Sequence, residues 1–446
     1  MDNALPEDES LRIPPIQNLG VTMKQIEYPD NLVLGRVPKA GGSWRPCSAV
    51  WMVAMMLLVG AGHNARSDDA GQDTGSPTSG TLPAGFAYDP QMEEGPHPDS
   101  DFEWWYHFGF LKRKGAAEYE YSFVSSFQRN KAGRYLFYNL ADLNSGEKSH
   151  HAVVDRSLLG LTPRAETVQD ATDGQQPAAE RPGLLQRLAH RLQDSLPLLP
   201  EGHTFLPPSN LPPASCPSEL RLQYGENRLE KDGDAYKAVY RNSDFVLELT
   251  MRAVAPPMPM LGTGLTGLHK PEDQYYYSYP RMSATGVLQR GEEQWQVEGD
   301  LWYDHQWGKV VSRVPKTWGW WGLRLDDGRN LAVFFLRDGR TGAIVQKGLT
   351  LHHPDGRTQV DRDVQFKPLR YWNSPHARRY ALQWQIEARG MNMTIHVRPH
   401  SDDHELPVLL YGRIWEGPCL AEIVVPGQPT VQASGFQELI GETDER

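Results

Sequence analysis

At 446 residues the chain is longer than one typical domain, so two domains are the starting expectation. A formal net charge of −11 argues against nucleic acid or an anionic membrane as a general partner. Hydrophobic residues at 39% can build sizeable cores, while 41 Gly and 35 Pro point to many turns rather than long helices.

The first element in chain order is "AVWMVAMMLLV", an unbroken apolar run from Ala49 to Val59. It falls short of the ~20 residues that a spanning helix needs. Arg36, Lys39 and Arg45 precede it and small residues follow, the layout of a secretory signal peptide with cleavage after Ala61 or Ala65. Met23 is the alternative start, because acidic residues up to about position 30 are unusual before a signal. The expectation is therefore an exported protein, periplasmic or secreted, the alternative being an uncleaved N-terminal anchor. Cys47 lies before the run, so it is not a lipid-attachment cysteine. Residues 1–66 form an N-terminal extension with the signal, and 67–85 a flexible linker.

From residue 101 onward, short stretches alternate apolar and polar residues, as strands with one buried face do. "YEYSFVSSF" (119–127), "RYLFYNLADL" (134–143), "FVLELTMRAV" (245–254) and "LAVFFLRD" (331–338) read this way. Asp232-Gly233, Gly291, Asp327-Gly328 and Asp355-Gly356 supply tight turns between neighbours. Hairpin after hairpin predicts an antiparallel, all-β architecture. Residues 161–215 break the pattern: Leu184, Leu185, Leu188, Leu192 and Leu196 recur at helical spacing between polar and Pro-rich flanks, so this is an insertion. Residues 254–274 read as a further long loop.

Cys216 and Cys419 could form one disulfide in an oxidising compartment but make no framework. No Cys/His zinc spacing is present, and His150-His151 and His352-His353 read as strand-end or loop residues, so no metal is expected. No Gly-rich phosphate loop or nucleophile elbow signals another cofactor.

The chemistry concentrates in three aromatic-acid stretches: "DSDFEWWYHFGFL" (99–111), "YYYSYPRMSATGVL" (275–288) and "LWYDHQWG" (301–308), the last leading into "KTWGWWGLRL". On a strand, Trp302, Asp304 and Gln306 share one face, and Tyr303, His305 and Trp307 the other. Glu103 sits with Trp105, and Trp104 with Tyr106. An Asp held among aromatic walls has a raised pKa and can donate a proton, while aromatic faces stabilise a developing cation by ~0.5–2 kcal/mol each. The bland alternative is an interior Asp-His or Asp-Arg pair tying strands together.

These motifs, with "YGENRLEKDGDAYKA", "GWWGLRLDDGRNLAVFFLRD" and "IWEGPCL…ASGFQELIG", resemble the AttH-like family, which includes hydroxyneurosporene synthase, the carotenoid 1,2-hydratase. The match runs in order from about Asp99 to Gly441. It implies two lipocalin-like (calycin) antiparallel β-barrels packed side by side around an apolar cavity, over 86–280 and 281–446. It also implies export for many bacterial members, some associated with ABC transporters. In the hydratase branch an acid in the segment matching "WYDHQWG" is proposed to protonate a carotenoid double bond, a role that falls on Asp304. Where that branch has His and Trp in the strand matching "YYYSYP", and a Tyr two positions before the acid, this chain has Tyr275, Tyr277 and Trp302.

The expectation is thus a cofactor-independent enzyme acting on a polyene, terpenoid or lipid, with Asp304 as acid and His305 orienting or relaying. Trp302, Tyr275, Tyr277, Glu103, Trp105 and Trp320 would line its cavity. Two other readings stay open: a non-catalytic lipid carrier serving a transporter, and barrels whose outer surface binds a protein partner.

Overall fold

The computed structural model describes residues 85–159, 199–206, 217–310, 316–409 and 412–443. The apolar run at 49–59, the linker up to residue 84, the Leu-rich stretch 184–196 and Cys216 lie outside the described residues. Within them the chain is nearly all β, in two curled sheets.

The first sheet is built from β1 (Phe102–Arg113), β2 (Tyr121–Asn130), β3 (Gly133–Asp142), β4 (Lys148–Val154), β5 (His203–Phe205), β6 (Arg221–Tyr224), β7 (Asn227–Asp232), β8 (Ala235–Arg241), β9 (Val246–Ala253), β10 (Met258–Pro259), β11 (Gln274–Arg290) and β12 (Glu293–Gly308). Their spatial order is β5-β4-β3-β2-β1-β12-β11-β9-β8-β7-β6, with β10 flanking β11. The second sheet holds β13 (Lys316–Leu325), β14 (Asn330–Asp338), β15 (Ile344–His352), β16 (Thr358–Asp361), β17 (Val364–Asn373), β18 (Arg378–Ala388), β19 (Met393–Pro399), β20 (Glu405–Val408), β21 (Gly412–Val424), β22 (Val431–Leu439) and β23 (Glu442–Thr443). Its order is β16-β15-β14-β13-β22-β21-β19-β18-β17, with β20 beside β21 and β23 beside β18.

The expected strands and turns are present. Gly233, Gly291, Gly328 and Gly356 all have positive φ, which a side chain would strain, so glycine permits these tight turns. The boundary between sheets differs from the expectation at 280/281, which falls inside β11. β11 and β12 carry the first sheet on to Gly308, because their long hairpin pairs with β1 on one side and β9 on the other. His150 and His151 lie within β4 rather than at its end, and His352 closes β15. Cys419 is a buried free thiol.

Each sheet wraps its own core. Inside the first, Trp105, Phe127, Tyr138, Leu247, Met251, Tyr277, Tyr303 and Trp307 pack together. Cross-curl bonds such as Tyr224 OH to Gln128 O (3.1 Å) and Ser125 Oγ to Tyr240 OH (2.8 Å) link strands far apart in sheet order. Inside the second, Trp321, Leu323, Phe335, Trp384, Ile395 and Trp415 do the same. A third cluster lies where the outer faces of the two sheets meet, and includes Tyr106, Phe108, Tyr276, Trp302, Trp320 and Phe436. Phe108 packs on Trp320 and Phe436 at ring separations of 5.3 and 5.1 Å. Gly322 makes this approach possible, since a Cβ there would lie 2.4 Å from the Trp320 ring and 3.0 Å from Phe108. Removing an aromatic side chain of this size from water contributes roughly 4–6 kcal/mol by area. The stretch 254–274 fastens the same junction: Met258 and Met260 are fully buried in it, and Leu261 N donates to Thr350 Oγ1 of β15 at 3.0 Å.

Candidate functional site at the junction of the two sheets

Strand alternation decides which groups meet. The face of β12 carrying Trp302 and Asp304 turns outward from its own curl, toward the second sheet. The face carrying Tyr303, His305 and Trp307 turns inward. Asp304 therefore faces the second sheet and not the interior of its own curl, and the expected site is divided. Asp304, Trp302 and Trp320 are together at the junction. His305, Glu103, Tyr277, Trp105 and Tyr275 lie on the opposite side of the same strands, because one residue along a strand reverses the face.

Asp304 is deeply buried and accepts three hydrogen bonds: from Trp302 Nε1 (2.7 Å) and Ser278 Oγ (2.5 Å) on Oδ1, and from Tyr276 OH (2.9 Å) on Oδ2. Burial pushes its pKa up from 3.8 to about 6, against the pull of those donors. An indole N–H can only donate, so Trp302 holds Oδ1 as an acceptor and leaves Oδ2 as the oxygen that takes a proton.

Two acids that sequence reasoning did not single out complete the site. Glu416 on β21 and Glu438 on β22 are direct cross-strand partners, and Trp320 on β13 lies opposite Glu438. Facing this row, Tyr106, Asp304 and Ser278 form an equivalent row across β1, β12 and β11. Burial raises the Glu438 carboxyl to about 7, offset in part by the hydrogen bond from Trp318 Nε1 (2.7 Å) and reinforced by the Asp304 charge. Burial, then repulsion from Glu438, drives Glu416 well above its ordinary value. Among the described residues no lysine or arginine pairs with any of the three. Like charges directly opposite on neighbouring strands are destabilising, so this arrangement is not one that packing alone selects.

Tyr106 OH lies beside Glu416 and Trp320 Nε1 beside Tyr276, in neither case completing a hydrogen bond, and Glu416 Oε2 is buried in the same condition. A buried orphan costs about 1–3 kcal/mol, so these atoms mark where a water or a ligand oxygen gains by docking. Glu438 and Trp318 are only partly covered, and the cluster reaches solvent on their side.

The inward face holds a different constellation. Glu103 accepts from His305 Nε2 (3.0 Å), His97 Nδ1 (2.6 Å), His97 N (2.9 Å) and Arg129 Nη1 (3.1 Å). Burial alone would raise its pKa, but the two imidazoles win and hold it at about 2. Nearby, Glu94 accepts from Lys231 Nζ (2.6 Å) and Tyr236 OH (2.5 Å). The residues His97, Glu103 and His305 are the group here whose donor atoms converge as metal ligands would.

The cross-strand rows could have been sought in the sequence. "YSYPRM" and "WEGPCL" place Ser278 and Glu416 at matching positions before a shared proline, both within motifs that carry the family resemblance.

The comparisons agree with this fold. The crystal structure of an AttH protein from Nitrosomonas europaea superposes with a TM-score of 0.57 at 22% identity, covering 80% of this chain and 97% of that one. Kievitone hydratase from Nectria haematococca gives a TM-score of 0.57 at 15% identity, covering 82% and 97%. No curated protein matches at the level of sequence. The AttH-like family model matches residues 215–442, a span holding β11, β12, β13, β21 and β22 and hence Asp304, Glu416 and Glu438. The chain belongs to the AttH-like family.

Proposed function

We propose that this protein is a cofactor-independent hydratase-type enzyme, acting on a large apolar unsaturated ligand at the junction of the sheets. The observation that carries the reading is a set of three carboxyls with no cation beside them among the described residues, the buried Asp304 and Glu416 and the partly covered Glu438, across two sheets and lined by Trp302, Trp318 and Trp320. The hydratase named among the similar folds supports it.

In this reading Asp304 is the acid, since a carboxyl near pKa 6 is available to donate close to neutral pH. The Oδ2 proton passes to one carbon of a C=C bond and leaves a cation on the other. The surrounding indole and phenol rings face that cation. A water held by Tyr106 OH and Glu416 Oε2 adds to it, and its proton leaves through Glu438, the carboxyl nearest solvent. The net change is addition of H2O, with no electron gained or lost. Donation by a positioned carboxyl is worth typically 10²–10⁴-fold.

The test uses the purified full chain with lycopene or squalene as acyclic polyene probes, and with any lipid that co-purifies, in D2O. A product heavier by one D2O, lost by about 10²–10⁴-fold in Asp304→Asn, is expected. A ligand retained equally by both proteins and recovered unchanged would overturn the reading in favour of a carrier. Export is part of the proposal and is supported by the sequence at 49–59; N-terminal sequencing of the mature protein tests it.

A further inference from the structure

We propose that His97, Glu103 and His305 form a binding site for a zinc-class divalent ion inside the first sheet, on the face of β12 opposite Asp304. Their donor atoms lie within 4.8 Å of one another. Glu103 Oε1 sits 2.6 Å from His97 Nδ1 and 3.0 Å from His305 Nε2. Tetrahedral zinc with bonds near 2.0–2.1 Å needs about 3.3 Å between donors, so small side-chain movements admit the ion. Two imidazoles and one carboxylate are a ligand set such ions select, with a fourth position left for water.

The outer contacts are what distinguish this cluster from a chance ion network. Each ligand is held through its other polar atom. His97 Nε2 bonds Glu93 Oε2 at 2.7 Å and His305 Nδ1 bonds Tyr277 OH at 3.3 Å; the ion displaces the protons that His97 Nδ1 and His305 Nε2 give to Glu103, and these outer bonds keep both nitrogens turned toward it. Glu103 Oε2 is taken by Arg129 Nη1 (3.1 Å) and His97 N (2.9 Å), leaving Oε1 to face the imidazoles. Arg129 competes with the ion for the carboxylate charge but not for that oxygen. Trp307 stacks on His97 at 4.2 Å and Trp105 on His305 at 4.9 Å, orienting both rings. The His97 side chain is 13% exposed, which gives the ion a way in. Bound there, the ion clamps the segment before β1 onto β12, next to the residue that carries Asp304.

The full chain is stripped with chelator, loaded with Zn²⁺ or Co²⁺, desalted, and analysed for metal content and visible absorption. About one ion per chain and a tetrahedral Co²⁺ band displaced by Zn²⁺ are expected. His97→Gln and His305→Gln should lose the band while keeping the wild-type circular dichroism. Glu93→Gln should weaken binding by about 10–100-fold. Asp304→Asn should bind like wild type, which separates this site from the proposed hydratase centre. Absence of the band in wild type, a readout that needs no variant to fold, would overturn the proposal. So would binding unchanged in both histidine variants.

Discussion

The two sheets share one wiring and fill it with opposite chemistry. Reading across each sheet from one side to the other, β4-β3-β2-β1-β12-β11-β9-β8-β7 in the first corresponds strand for strand to β16-β15-β14-β13-β22-β21-β19-β18-β17 in the second. At the junction, Tyr106, Asp304 and Ser278 therefore occupy the places of Trp320, Glu438 and Glu416. On the inner faces the contrast is sharp. His305 in the first sheet stands where the second has Leu439, and Glu103 where it has Thr317. The second core satisfies its polar groups locally, Trp321 Nε1 donating to Gln437 Oε1 at 3.0 Å and Gln437 Nε2 to Leu382 O at 3.3 Å. The first gathers Glu103 with two imidazoles among its central strands, whereas the buried carboxylate of the second, Glu405 on β20, is held by Tyr380, Ser374 and Arg413. The lesson is that topology assigns a residue its face, while the side chain placed there decides whether that face becomes a core or a site.

Replacing matched positions is the strongest way to break this comparison. Glu103→Gln removes a buried charge on which His97, His305 and Arg129 converge, and should cost about 3–5 kcal/mol in denaturant unfolding. Thr317→Val at the equivalent place should change stability by less than about 0.5 kcal/mol. Equal costs would mean that the two interiors are energetically alike. The Glu103 pKa lies below its unfolded value of 4.5, so its contribution is present above that pH and is lost as pH falls toward about 2.

Asp304 carries the opposite sign. Its folded pKa is raised from 3.8 to about 6, so the folded state binds the proton more tightly and stability falls as pH rises through that window. Asp304→Asn should therefore be more stable than wild type at pH 8 by up to about 3 kcal/mol, with the gain vanishing below about pH 4. Thermal melts across pH check this, and a destabilised variant at pH 8 would contradict it. A smaller effect sharpens the picture of the second core: Gln437→Leu orphans Trp321 Nε1 and should cost about 1–2 kcal/mol.

Much of the fold was legible because each strand announces itself locally. Period-2 alternation and Asp-Gly turns need only neighbouring residues, and so does the opposition of Asp304 to His305 across β12. What could not be read was the direction of the faces. Nothing in "LWYDHQWG" says whether the Asp304 side meets its own curl or another sheet. Glu416 and Glu438 escaped notice for a related reason. Each stands among apolar neighbours in its strand, and their meeting with Asp304 depends on the pairings of β13 with β22 and of β1 with β12, strands more than a hundred residues apart. His97 lies before the first strand, where no periodicity points to it. The sheet boundary differs from the expected 280/281 because the β11–β12 hairpin continues the first sheet to Gly308.

The central claim is that the buried Asp304 holds its proton to near-neutral pH beside Glu416 and Glu438. Carbon-detected NMR of protein labelled at the side-chain carboxyls of Asp and Glu, with Asp304→Asn for assignment, measures this without a substrate. The account predicts an Asp304 signal titrating near pH 6, moved upward in Trp302→Phe by loss of one donor. An Asp304 carboxyl that is fully ionised by pH 4.5 would contradict it.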